Sequence, residues 1–363
     1  MAIGLLLLYN LLFFRKFYRN PWLLCTSELA STFFPHWLWM GNQIRKGIFP
    51  AEDNIFYKYP ASISFLSTFY PLNLMAAPIA SFLDRDRAFR LYTIFILVHY
   101  ILGSVLAYTL FSKWCSTSVS LFGAVTLTYS AYMIKPQTPA FVYTASWLPG
   151  IFLGGWLGGF CFGMSLLGGY YPILVYIVPF IAVVNPLEVA LGSLIALPQI
   201  LPFLGYFKRS VRYDAKPDKN EGKVPPRKLI EFLLPIQNYK PTNGVHYPEM
   251  AMYMGFLPFL FVWTSGSRFW FVWAFALLVA VGIIPLIARI PARALYTVTF
   301  SLVILATDGL SKIGLDQSTL AVILILHGFM LLRNANTYPS FPFSQWWDKP
   351  SRLYSVARKK NEW

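Results

Sequence analysis

Three carboxylates stand in this chain where few would be expected. Glu28, Glu52 and Asp53 are among only 15 acidic residues in 363, in a half-polar stretch, 28–74, dense in aromatics and prolines. A carboxylate held near apolar groups loses solvation, so its pKa rises and it becomes a better general base. Glu28 is therefore a candidate base; with Ser27 beside it, it could equally cap a helix beginning near Leu29. Glu52 and Asp53 with Asn54 offer hard oxygen ligands that suit Mg²⁺ or Mn²⁺. The same residues, after Pro50, also read as a solvated turn that caps the next helix. Arg45, Lys46, Lys58, Arg209 and Arg212 could hold a phosphate, arginine with bidentate geometry, or could anchor headgroups. Arg289 and Arg293, flanking Pro291, could do either job. Tyr247 and Glu249 precede the apolar run at 250, where Glu249 either caps a helix or faces a substrate. The histidines at 36, 99, 246 and 327 have no metal-ligand spacing. His99 falls in the middle of an apolar run and needs a polar partner there, which an interhelical hydrogen bond would supply.

The elements that must position these groups are apolar helices. The chain is 56% hydrophobic and 12% charged, with mean hydropathy +0.53, against roughly 25% charged residues in a soluble domain. Continuous apolar runs, not alternating ones, lie at 89–111, 117–134, 139–162, 173–184, 187–207, 269–288, 294–310 and 319–332, with weaker ones at 2–14 and 250–263. Stretches of about 17–25 such residues suit membrane-crossing helices, whose backbone is satisfied internally. The expected fold is an all-α polytopic membrane protein with about 9–11 transmembrane helices. Glu188 and Asp308 fall near the ends of these runs, where capping or snorkelling suffices. The net charge of +15 does not point to nucleic acid, because the basic residues cluster at the ends of apolar runs, as in Arg15-Lys16 and Arg358-Lys359-Lys360. Anionic membrane lipids are the expected partners. Cys25, Cys115 and Cys161 are scattered and read as small buried hydrophobes. Arg15 and Lys16, with no small-residue cleavage site, follow the first apolar run, which reads as a retained helix and not a signal peptide.

The chain divides into an N-terminal transmembrane anchor (1–14), a long first connection with juxtamembrane helices (15–88), a first transmembrane bundle (89–207), a second polar connection (208–249), further transmembrane helices (250–333) and a polar basic tail (334–363). Within 15–88, the aromatic clusters suit the headgroup level, and Pro60, Pro71 and Pro78 mark 59–82 as interfacial or re-entrant. The glycine-rich run GIFLGGWLGGFCFGMSLLGGYYP permits close helix approach and local unwinding. No internal repeat of the kind found in many transporters is present.

Short steps along almost the whole chain carry a likeness. They are Glu28 before Phe34-Pro35; Arg45-Lys46-Gly47-Ile48-Phe49-Pro50; FYPLNL at 69–74; His99-Tyr100 with Ala107-Tyr108; Trp147-Leu148-Pro149; Leu167-Gly168-Gly169-Tyr170; Pro198-Gln199-Ile200-Leu201-Pro202 with Ser210-Val211-Arg212; Glu249 before Tyr253-Met254-Gly255; and Arg289-Ile290-Pro291-Ala292-Arg293. In this order they resemble the bacterial YfhO family of membrane proteins, in the GT-C glycosyltransferase superfamily. The departures are Glu28, where the family has Asp, and Pro50-Ala51-Glu52-Asp53-Asn54 in place of a Pro-Leu-Trp-Asn-Pro step. Family members are longer, so the chain reads as a shortened version.

The resemblance implies a GT-C-like helical bundle with a long first external loop, in the bacterial inner membrane, its active face extracytoplasmic. It implies transfer of a sugar, with inversion, from a polyprenyl-phosphate-linked donor to a cell-envelope acceptor. Glu28 would be the base, and Arg45, Lys58, Arg209 and Arg212 would bind the lipid phosphate. The alternative is a non-catalytic membrane scaffold or lipid-binding component of a cell-envelope assembly, which the short chain and the altered acidic step favour. The positive-inside rule would instead draw the Lys/Arg-rich 208–240 connection to the cytoplasm.

Overall fold

The computed structural model describes residues 1–24, 33–48, 69–134, 139–207, 223–226, 229–230, 253–284 and 291–336. Every regular element among them is helical. In chain order they are α1 (Ala2–Phe13), α2 (Arg15–Arg19), a 3₁₀ turn (Pro21–Leu24), α3 (Phe34–Arg45), α4 (Pro71–Ala80), α5 (Arg85–Phe111), α6 (Thr117–Thr128), α7 (Ala131–Ile134), α8 (Pro139–Ile151), α9 (Gly155–Leu167), α10 (Tyr171–Val184), α11 (Pro186–Ile195), α12 (Leu197–Phe207), α13 (Leu257–Val262), α14 (Phe269–Ala280), a 3₁₀ turn (Pro291–Ala294), α15 (Leu295–Lys312) and α16 (Gln317–Asn336).

Among the described helices α5 is the one that alone is long and apolar enough to cross a membrane. Its 27 residues make about 40 Å at 1.5 Å per residue, against an apolar core of about 30 Å. Asp84 starts it, accepting from the Arg87 amide at 2.9 Å. Against the expectation of 9–11 spans, three of the other apolar runs are broken and do not form one long helix each. The run 117–134 breaks at Tyr129-Ser130 into α6 and α7. The run 139–162 reverses direction: Gly154 and Gly155 take φ of +78° and +60°, which side-chain-bearing residues rarely adopt, and α9 packs back along α8. The run 187–207 bends by 77° between α11 and α12, where Pro198 cannot donate to the helix ladder. The N-terminal anchor, α1, has 12 residues, about 18 Å.

α15 is the axis of the core. From Leu295 to Leu310 only Asp308 reaches solvent appreciably, as befits a helix apolar all round. It runs parallel to α8, with Tyr296 donating to the Ala145 carbonyl at 3.2 Å and Phe300 stacked on Phe152. α5 also runs parallel to α8, so that Gly103 faces Ser146 and Leu106 faces Gly150. The helices α5, α8 and α15 therefore all point the same way, and Tyr170, at the start of α10, meets Phe141 near the start of α8.

Glycine sets the closest approaches. α9 and α11 run side by side through Gly159, Gly163 and Gly192. A Cβ on Gly192 would stand 2.7 Å from the Gly163 nitrogen and 2.8 Å from the Gly159 oxygen, both backbone atoms that cannot rotate aside. Glu188, in the first turn of α11, accepts from the Gly155 amide at 2.8 Å and so caps the start of α9. Gly192→Ala is expected to destabilise the purified protein by about 1–3 kcal/mol through overpacking, measured by unfolding in detergent. Gly4→Ala, where a Cβ meets nothing within 4 Å, is expected to leave it unchanged.

Candidate functional site

The polar chemistry inside the bundle gathers where the end of the first connection enters it. Tyr70, just before α4, lies fully buried between α5 and α8. The Trp147 Nε1–H donates to its oxygen at 2.8 Å. Its own O–H donates to His99 Nε2 at 2.6 Å, and His99 Nδ1–H donates to the Phe95 carbonyl at 2.6 Å. An indole can only donate and a carbonyl can only accept, so His99 Nδ1 carries a proton, and with the ring neutral the Tyr70 O–H is the donor to Nε2. The imidazole is held as the neutral Nδ1–H tautomer, by partners from the helix itself and from the first connection.

The aromatic packing is as close. Tyr143 stacks on Tyr70 with centroids 4.9 Å apart and planes 7° apart, and lies 4.4 Å from the His99 ring. The Tyr143 hydroxyl, the Ser146 and Thr93 hydroxyls and the Trp37 indole N–H are buried with no hydrogen-bond partner among the described residues. Trp37 of α3 meets Tyr92 of α5. Together these groups form a buried polar-aromatic cluster bounded by α3, Tyr70, α5 and α8.

α8 carries a second cluster on its adjoining residue. Thr144 Oγ1 accepts from the Tyr170 amide at 3.0 Å, and the Arg293 guanidinium stands 5.4 Å from the centre of the Tyr170 ring. Tyr132 donates to the Arg293 carbonyl at 3.2 Å. Gln199, at the α11–α12 bend, donates to the Leu166 carbonyl and the Tyr171 hydroxyl at 3.1 and 3.0 Å.

Of the residues singled out from the sequence, Arg45, Lys46, His36, His99, Glu188, Arg293, Asp308 and His327 fall in the described part. Glu28, Glu52, Asp53, Asn54, Lys58, Arg209, Arg212, Tyr247, Glu249 and Arg289 lie outside the described residues. Arg45, at the exposed end of α3, donates to the Ser81 carbonyl at 3.3 Å and lies 4.9 Å above the Phe82 ring. His99 finds a polar partner in Tyr70, which belongs to the first connection and not to a neighbouring helix. Among the described residues no group of three or more His, Cys, Asp or Glu could hold a metal ion, and no step below is drawn through one. The sequence left Tyr70, Tyr143 and Trp147 unread as partners of His99; the need for a partner was the only signal. Asp308, near the end of α15, accepts from Ser265 at 2.6 Å and from Lys312 at 2.8 Å, and needs no further role.

No protein-family model, curated protein or solved structure matches the chain. A few of the short sequence steps quoted above lie together among the described residues. Tyr70 belongs to the FYPLNL step, His99 to the His-Tyr step and Trp147 to the Trp-Leu-Pro step, and one hydrogen-bond chain joins the three. Likewise the Gly-Gly-Tyr step reaches the Arg-Ile-Pro-Ala-Arg step through Tyr170 and Arg293.

Tyr70→Phe would strand both the Trp147 N–H and His99 Nε2 in a dry site. It is expected to cost about 1–3 kcal/mol for each group left unpaired, read from denaturant unfolding in detergent. Trp147→Phe, which leaves Tyr70 donating to His99, is expected to cost less than Tyr70→Phe.

Proposed function

We propose that the chain is a multi-pass integral membrane glycosyltransferase of GT-C type, drawing its sugar from a polyprenyl-phosphate-linked donor at the extracytoplasmic face of the bacterial inner membrane. The observation that carries this reading is the meeting of family-like steps from distant parts of the sequence on the single chain Trp147–Tyr70–His99.

Membrane embedding is supported by the distribution of side chains. Leu5, Leu8, Leu11 and Leu12 of α1, Trp156 and Phe160 of α9, Leu187 and Leu194 of α11, and Val322, Ile325, Leu326 and Phe329 of α16 are all exposed. Asn10, Ser104, Thr126, Thr144, His99, Gln199 and His327 are buried. Apolar surface on this scale marks a lipid or protein partner, and polar groups turned inward suit a bundle in hydrocarbon.

In the proposed reaction the Glu28 carboxylate takes the proton from an acceptor hydroxyl, whose oxygen attacks the anomeric carbon from the face opposite the leaving group. The bond from that carbon to the carrier phosphate breaks, and the anomeric configuration inverts. Negative charge growing on the phosphate needs nearby cations, for which Arg45, Lys58, Arg209 and Arg212 are the candidates. Tyr70 seats the end of the first connection on the bundle and so fixes where that connection starts its return. Glu28→Gln is expected to lower transfer in membranes supplied with lipid-linked sugar by about 10²–10⁴-fold, the usual contribution of a general base. Full activity in that variant removes Glu28 from the mechanism.

One observation favours the second reading, a non-catalytic lipid-binding component. Among the described residues, Arg45, Lys46, Arg85, Arg87 and Arg90 lie toward the end of the bundle where α5 begins, with Asp84 and Asp86 as the carboxylates there. The opposite end balances Lys113, Arg268 and Lys312 against Glu188, Asp308 and Asp316. The positive-inside rule draws the basic end to the cytoplasm, away from an extracytoplasmic donor. Asp86→Cys, in a chain whose Cys25, Cys115 and Cys161 are replaced by Ser, decides between the two. Labelling of whole cells by an impermeant thiol reagent is expected for the transferase. Labelling only after permeabilisation supports the second reading.

A further inference from the structure

The outer edge formed by α3 and α4 joins two surfaces of opposite chemistry. Met75, Ile79 and Phe82, at i, i+4 and i+7, form one stripe along α4 and the turn after it, and are 68%, 59% and 72% exposed. The opposite face of α4 is turned into the protein through Asn73, Ala76, Ala77 and Ala80. The stripe ends at cations. Arg45 lies over the Phe82 ring and gives one N–H to the Ser81 carbonyl; a guanidinium has five, so it can hold this position and still grip a phosphate. Lys46 adjoins it, and Arg85 stands three residues past Phe82, its guanidinium 5.4 Å from the Trp22 ring. All three are exposed. Among the described residues the carboxylates beside them are Asp84, engaged by Arg87 at 3.1 Å, and Asp86, in the first turn of α5.

We propose that this edge is a binding site for an anionic phospholipid, with an acyl chain along Met75, Ile79 and Phe82 and the headgroup phosphate on Arg45, Lys46 and Arg85. Apolar surface and cations in this sequence fit a headgroup and its own tail at the membrane boundary. The site rests on the membrane reading above and not on sugar transfer, and it holds with either end of the bundle facing the cytoplasm.

The test is native mass spectrometry of the purified full chain in detergent, with phosphatidylglycerol and phosphatidylcholine added together. The wild type is expected to retain phosphatidylglycerol preferentially. Arg45→Gln and Arg85→Gln are each expected to weaken that retention about fivefold, from the usual attraction of one cation to an anionic surface. Lys312→Gln, at the opposite end, is expected to change nothing. Wild-type retention in the Arg45→Gln/Arg85→Gln double variant overturns the site, and so does an equal loss in Lys312→Gln. Displacement of phosphatidylglycerol by polyprenyl phosphate at equal concentration also overturns it, because the edge is then a seat for the sugar carrier. If the double variant does not purify, Met75→Glu takes its place; it breaks the stripe and is expected to lose retention, and unchanged retention again refutes the proposal.

Discussion

The Tyr70 hydroxyl is the point on which the entry of the first connection depends. A phenol that accepts from an indole and donates to an imidazole ties three separate parts of the chain at one atom. Such a tie is strong because the site is dry. Each of the three groups would face an apolar surrounding without the other two, and leaving a buried polar group unpaired costs more than a made bond returns. The stacking of Tyr143 on Tyr70 adds rigidity, since the ring cannot turn without losing that face. α4 then leaves this point toward the bundle's basic end, and the position of its apolar stripe follows from where Tyr70 is pinned.

The same logic orders the bundle as a whole. Helices whose outward faces are apolar turn their polar groups within, and several of these pair across helices. His327 meets Thr126 at 2.8 Å, Asn10 donates to Tyr129 at 3.1 Å, and Ser165 donates to the Thr144 carbonyl at 2.9 Å. Charge is kept to the ends. Where a carboxylate stands near the interior, as Glu188 and Asp308 do, it has a donor in reach.

Much of this was legible in the residues. Continuous, non-alternating apolar runs pointed to helices and not strands, and the glycine-rich run pointed to a close helix approach, which Gly159 and Gly163 make with α11. The run 139–162 was read as a single helix because hydropathy has no sense of direction. A reversal at Gly154-Gly155 looks, in an apolar and glycine-rich stretch, like any other pair of glycines. The bend between α11 and α12 was hidden similarly, since Pro198 and Pro202 are equally compatible with a kinked continuous helix. For His99 the need for a partner could be seen and its identity could not: Tyr70 lies 29 residues before it, and Trp147 lies 77 residues beyond Tyr70. Neither spacing belongs to a helical period. The carboxylates at 28, 52 and 53 fall outside the described residues.

The reversal between α8 and α9 is held from two sides by opposite charges. Lys113 donates to the Leu153 carbonyl at 2.5 Å, and Glu188 accepts from the Gly155 amide at 2.8 Å. A cation thus meets the carbonyl-rich finish of one helix, and an anion meets the amide-rich start of the next, as the helix dipoles favour. The joint is keyed by sign as well as by volume. A slip of α11 by one turn, about 5.4 Å, would pull the carboxylate off its amide while driving side chains into the Gly159 and Gly163 gaps. The two errors coincide, so no intermediate register is comfortable, and α11 can act on the rest of the bundle only by moving together with the hairpin that lines the Tyr70 cluster.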